Sequence, residues 1–304
     1  MTRTMNHDQA NVTLAAPPGP GLPWASLSAD AHEFQYNPQR AFPDFASHGE
    51  RRAPLNEAAR ATLAPSEDVR YGAHPLRTLD IFRAKGCAPV HLFLHGGYWR
   101  AQDKRNFAFV AGALVPLGIT TIIANYELCP ASTLDGVVDS ALAAFEWIVR
   151  NPDAHGGDPA RLTISGHSAG AHLAAGILAT DWAARGVDTN GLSGVTLISG
   201  IYDPAPAILT TVNAQLRLDA ELAARHDVER RAPQLACPVA IVVGGREPWH
   251  WIDQSFRYSH HLRRHGQDPS VHVLPGHDHF GILGEYLDAE NTTMKAIVAQ
   301  SSPG

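Results

Sequence analysis

One pentapeptide and its flanks constrain this chain more than anything else in it. Leu162-Thr163-Ile164-Ser165 is a short apolar run of strand type, Gly166-His167-Ser168-Ala169-Gly170 follows at once, and Ala171-His172-Leu173-Ala174-Ala175 then opens a helix-forming stretch. A serine on so tight a strand-to-helix turn is forced into a strained backbone conformation, and glycines two residues to either side remove side chains that would collide there. The turn lifts Ser168 Oγ above the edge of a sheet. The helix beginning at Ala169 aims its amino-terminal N–H groups at the same point. A serine in a glycine-rich turn can serve merely as a helix cap. With a strand before it and a helix after it, Ser168 reads instead as a nucleophile, and the Ala169 N–H as one donor to a developing oxyanion.

The remaining sequence supplies the sheet that such a turn needs. Short runs rich in Val, Ile and Leu fall at 76–82, 91–94, 120–125, 162–165, 195–199, 239–243 and 271–274, with an earlier edge strand over 68–71. Between them, 104–117, 134–150, 169–184, 251–265 and 284–299 carry helical spacing of apolar residues. This alternation predicts an α/β architecture with a mainly parallel central sheet flanked by helices, whose ligands bind at the carboxyl ends of the strands. Residues 1–28, rich in Pro and Gly, read as an irregular N-terminal arm, and 29–304 as a single domain. The segment 202–233, with Pro204, Pro206 and Pro233 around an Ala-rich helical stretch, breaks the rhythm and reads as a small cap inserted over the site.

A serine needs a base, and the base needs an orienting acid. In an α/β-hydrolase fold these follow in the order serine, acid, histidine. Glu247 is the first carboxylate after the strand at 239–243. Asp253 competes with it but lies in the first turn of the next helix, and Asp203 is a more remote candidate. The last strand empties into Pro275-Gly276-His277-Asp278-His279-Phe280, where His279 is the expected base and His277 a polar loop residue. Upstream, His95-Gly96-Gly97-Tyr98-Trp99 follows the strand ending at Leu94. There Gly97, with Gly96 or Tyr98, offers the second oxyanion donor, and His95 reads as a hydrogen-bonded structural residue. Tyr98, Trp99, Trp249, Trp251 and Phe280 all follow strands on the same edge, which suggests an aromatic substrate pocket, with some of these rings packing beneath the cap.

Composition narrows the alternatives. With 44% hydrophobic and 18% charged residues over 304 positions, the chain is globular rather than disordered. Its net charge of −6 carries no basic stripe, which argues against nucleic acid and for a small-molecule substrate. No apolar run approaches the roughly 20 residues that span a bilayer, and no leader pattern opens the chain, so a cytoplasmic location and no membrane contact are expected. Cys87, Cys129 and Cys237 are odd in number, far apart and without C-x-x-C pairing, so they read as buried thiols. His277 and His279 lack the further ligands of a metal site, and no metal or other cofactor is expected. His260-His261 reads as solvated surface. The sequence leaves a homo-oligomer open.

Taken together, the motifs resemble those of the arylformamidase (kynurenine formamidase) type of α/β-hydrolase, related to the hormone-sensitive-lipase-like esterases. The resemblance spans most of the chain. It is carried by His95-Gly96-Gly97-Tyr98-Trp99, Gly166-His167-Ser168-Ala169-Gly170-Ala171-His172, Ser199-Gly200-Ile201-Tyr202-Asp203 and His279-Phe280, with Tyr36-Asn37-Pro38 and Asn125-Tyr126-Glu127-Leu128-Cys129-Pro130 in support. It implies hydrolysis of N-formyl-kynurenine or a similar N-acyl aromatic amine, with Ser168, Glu247 and His279 as the triad. The acid loop Gly244-Gly245-Arg246-Glu247-Pro248-Trp249-His250-Trp251 departs from the family pattern and bears on the acyl and leaving groups. A carboxylesterase acting on aryl or short-chain esters through the same machinery is the nearest rival. A non-catalytic hydrolase-fold binding protein is a further one, although it would have no need of this constellation.

Overall fold

The computed structural model describes residues 24–302. Most of the arm expected over 1–28 therefore lies outside the described residues. Within the described part, Trp24 is buried and the Ser28 hydroxyl caps the first helix by accepting the Ala31 N–H at 3.3 Å.

The inner strands are continuous apolar runs because both of their faces are covered, whereas the edge strands, the first and last in the chain, are only partly buried. The strands are β1 (Ser66–Arg70), β2 (Thr78–Phe82), β3 (Pro89–Leu94), β4 (Thr120–Ala124), β5 (Asp158–His167), β6 (Leu192–Ile198), β7 (Val239–Gly244) and β8 (Ser270–Leu274). They form one sheet in the order β1-β2-β4-β3-β5-β6-β7-β8. β1 and β2 run antiparallel to their neighbours, and every pair from β4 onward is parallel. The mainly parallel sheet flanked by helices is thus present, with β3 and β5 at its centre.

The helices are α1 (Ala29–Tyr36), α2 (Pro38–Ala41), α3 (Phe45–Leu63), α4 (Ala108–Leu114), α5 (Leu134–Arg150), α6 (Pro152–His155), α7 (Ala169–Leu178), α8 (Asn213–Leu216), α9 (Ala220–Arg225), α10 (Trp249–Arg264) and α11 (Thr292–Ser301). In α5, Leu134, Val137, Val138, Ala141, Phe145 and Ile148 recur at helical spacing and are all buried in the core cluster that α5 shares with α7 and the inner strands. α7 is buried along its whole length, which its alanines and glycines permit by letting the backbone approach β5 and β3. Among the described residues no helix is long and apolar enough to cross a membrane.

Several expected boundaries are corrected. The segment 104–117 is not one helix but α4 between two 3-10 turns, Lys104–Phe107 and Val115–Leu117, the second ended by Gly118 at φ 81°. The helix expected over 169–184 stops at Leu178, and 284–299 divides into a 3-10 turn, Gly281–Leu287, and α11. α1 to α3 had no counterpart in the sequence reading. The 19 residues of α3 bury only Asn56 and Ala59 and carry Pro54 internally, so no apolar stripe announces the helix. Cys129 is buried as expected, but Cys237 is only partly so and Cys87 is exposed. His261 is buried rather than solvated, its Nε2–H donating to the Arg231 carbonyl at 2.9 Å, whereas His260 is exposed.

Candidate active site

Register brings the site together. Leu94 of β3 lies opposite Gly166 of β5, and His167 opposite Ile198 of β6, so the loops leaving these strands meet above one edge. Ser168 sits at φ 56° and ψ −118°, outside the range comfortable for an L-residue, with its N–H anchored on the Ile198 carbonyl at 2.8 Å. A Cβ on Gly166 would run into the Gly170 backbone, and one on Gly170 into the Leu94 carbonyl. Both glycines are therefore required by close approach, and the strain at Ser168 is locked in by its surroundings.

His279 Nε2 lies 3.0 Å from Ser168 Oγ, and His279 Nδ1 lies 2.7 Å from Glu247 Oε2. A carboxylate only accepts, so the His279 proton resides on Nδ1 and the bare Nε2 faces the serine. Glu247 is buried and accepts two further bonds at Oε1, from Ser199 Oγ at 2.5 Å and from the Gly244 N–H at 2.8 Å. Neither rival acid reaches the histidine. Asp253 accepts Arg257 Nε at 2.9 Å along α10, and Asp203 turns back to the Ala205 N–H at 2.9 Å. His277 points to Glu285 at 3.4 Å.

The β3 exit loop is unusual backbone. Gly97, Tyr98 and Trp99 all have positive φ, at 122°, 54° and 55°. Among the described residues the N–H groups of Gly96, Gly97, Tyr98 and Ala169 alike meet no acceptor, so every backbone donor expected from the sequence is unspent. A Cβ on Gly96 would stand 2.7 Å from His167 Nδ1, so this glycine makes room for the neighbouring imidazole. His95 lies stacked between Phe107 and Tyr126, a structural position, and burial pushes its pKa down.

His167, the second position of the pentapeptide, is a site residue that the motif alone does not single out. Burial, with repulsion from His279 and Arg52 added, holds its pKa well below the ordinary range. The ring is neutral, and its Nε2–H donates to the His279 carbonyl at 2.7 Å, tethering the histidine loop to the serine turn. No sequence motif by itself assigns a role to Ser199, which steadies Glu247. Its position just past β6, beside the strand that delivers the acid, is the signal that could have found it.

A cavity of about 520 Å³ opens onto Ser168 and His279. Gly96, Gly97, Tyr98, Phe107, Phe280 and Leu283 line one side, and Pro38, Phe45, Gly49, Arg52, Ala53 and Asn56 from α2 and α3 line the other. None of its lining comes from 202–233. That insertion instead packs Val212, Leu216, Leu218 and Val228 into the core, so the wall over the site is N-terminal. Tyr98 ties this wall down, donating its hydroxyl to the Tyr36 carbonyl at 2.8 Å.

Of the five aromatic residues expected in the pocket, Tyr98 and Phe280 line it and the three tryptophans do not. Trp99 is fully buried, with Nε1–H donating to His172 Nδ1 at 3.2 Å. Trp251 is buried edge-on to His279 at 4.7 Å and donates Nε1–H to the Ser199 carbonyl at 2.9 Å. Trp249 is 44% exposed. Two residues apart on α10, Trp249 and Trp251 point to opposite sides of the helix.

A family described as alpha/beta hydrolase fold matches residues 91–282. The kynurenine formamidase of Danio rerio is 30% identical over 289 residues, covering 90% of this chain and 97% of that protein. That of Salmo salar is 29% identical over 282 residues, covering 88% and 94%. A solved structure from Silicibacter sp. TM1040, provisionally named a thioesterase, superposes with a TM-score of 0.75 at 24% identity over 87% of this chain and 98% of its own.

Proposed function

Since this chain belongs to the alpha/beta hydrolase fold family, and to the branch of it that includes the kynurenine formamidases, we propose that it hydrolyses the amide bond of N-formyl aryl amines through an acyl-enzyme on Ser168. The observation that carries this reading is the hydrogen-bond order Glu247–His279–Ser168, at 2.7 and 3.0 Å, beside unspent backbone N–H groups.

Ser168 Oγ attacks the formyl carbon as His279 Nε2 takes the hydroxyl proton, and Glu247 stabilises the resulting imidazolium. The N–H groups of Gly97 and Ala169 receive the oxyanion. Collapse breaks the C–N bond, with the imidazolium proton passing to the departing aryl amine. Water, deprotonated by the same Nε2, then attacks the formyl-enzyme, and formate leaves as Ser168 regains its proton. Tyr98, Phe107 and Phe280 offer ring edges and faces to the aryl group.

The test is a panel of N-formyl, N-acetyl and longer N-acyl aryl amines, the matching aryl esters, and aliphatic amides of the same acyl groups. The highest kcat/KM is expected on N-formyl aryl amines. Equal turnover of aliphatic formamides would remove the aryl preference, and a strong preference for esters over every amide would replace the formamidase with an esterase. A folded protein that a fluorophosphonate probe fails to label at Ser168 would remove the mechanism.

A further inference from the structure

Four arginines but only one carboxylate, the exposed Glu57, line the cavity at Ser168. Two of the arginines are matched within the protein: Arg60 pairs with Glu67 and Asp80, each at 2.7 Å, and Arg105 with Asp68 at 3.4 Å and Glu67 at 3.6 Å. Among the described residues the other two meet no carboxylate. Arg100 donates only to the neutral amide oxygens of Gln39 and Gln215, and Arg52 donates Nη1–H only to the Phe280 carbonyl, at 3.1 Å. The Nε of each is buried without an acceptor.

Arg52 is the one beside the chemistry. Its hydrogen-bond partner follows His279 directly, its guanidinium carbon lies 5.7 Å from the Phe109 ring, and it is near enough to His167 to repel a proton there. Burial and repulsion from Arg51 lower its pKa to about 10, which still leaves it cationic at neutral pH. A half-buried guanidinium without a counter-charge is destabilising on its own, and its fork matches a carboxylate.

We propose that Arg52 is a specificity-determining residue that pairs with a carboxylate on the aryl amine portion of the substrate, so that the enzyme selects anionic aryl formamides over neutral ones. The proposal rests on the formamidase reading. The formyl group is too small to carry the charge, which assigns the carboxylate to the leaving-group side.

The experiment compares formanilides bearing a carboxylate, on the ring or at the end of a side chain of two or three atoms, with the corresponding primary carboxamides. The readout is the ratio of kcat/KM for acid over amide. Wild type is expected to favour at least one acid, and its KM for that acid, unlike that for the amide, should rise with NaCl. Arg52→Gln is expected to lower the ratio at least tenfold and Arg52→Lys to retain part of it. A purely structural arginine would slow both substrates and leave the ratio unchanged. An unchanged ratio across the set, or a wild-type ratio near one with no salt effect, overturns the proposal. Should wild type open no aryl formamide, the hydrolytic reading fails by itself. The subsite is then judged by thermal stabilisation with the free amino acids of the same set, such as anthranilate, against their carboxamides. A shift confined to the acids and lost in Arg52→Gln supports it, and equal shifts overturn it.

Discussion

Because Glu247 can only accept, it fixes both the tautomer and the orientation of His279, and replacing its charge should be far more harmful than replacing any nearby acid. Glu247→Gln is expected to lower kcat by on the order of 10⁴, as loss of an orienting carboxylate does in other triads. Asp253→Asn should stay within a few-fold of wild type, since Asp253 is bonded to Arg257. Steady-state kinetics on one substrate decides between them, and the reverse ranking would sink the assignment. Ser168→Ala should abolish covalent labelling and reduce kcat by up to about a millionfold while leaving the melting temperature near wild type. The positions of these residues were readable because each lies in the loop that leaves a strand at its carboxyl end and the chain order is fixed by the architecture. The tryptophans were misread for an equally local reason: pattern reading put Trp249 outside the helix, so the half-turn that separates it from Trp251 was invisible. Ser199 needed the spatial order of β6 and β7, which sequence order suggests but does not by itself give.

At the scale of elements, the strands announced themselves through continuous apolar runs, whereas α3 stayed hidden because it buries so little. What holds α3 is largely polar. Asn56 donates Nδ2–H to the Asn106 carbonyl and accepts the Phe109 N–H, both at 3.0 Å, so one side chain from α3 caps the start of α4. Asn56→Ala leaves those backbone groups without partners and should cost about 1 to 3 kcal/mol, seen as a lowered denaturation midpoint. Since α3 forms a wall of the cavity, KM should rise more than kcat falls. An unchanged midpoint and KM would mean that the wall is held by other contacts. The insertion at 202–233 shows the opposite error. Its prolines correctly marked an irregular segment, but nothing in the sequence distinguished packing into the core from arching over the site.

The whole molecule carries a set of neutral histidines in its interior. Burial lowers the pKa of both His91 and His172 to about 3, and each ring is fully hydrogen-bonded as it stands. In the unfolded chain these imidazoles protonate near the ordinary 6.5. Between about pH 6.5 and 3 unfolding therefore takes up protons, and acid favours the unfolded chain. Stability should be independent of these groups above pH 6.5 and fall below it, by up to about 1.4 kcal/mol per pH unit for each histidine. Denaturant midpoints at pH 7, 6 and 5 measure this, and a flat profile would contradict it. The contrast between α7 and α3 reaches further. Every residue of α7 is buried, so hardly any substitution there leaves Ser168 undisturbed, while most of α3 faces solvent or the cavity. Descendants of this gene could thus diverge in what they recognise through changes to one helix, inheriting the catalyst unaltered.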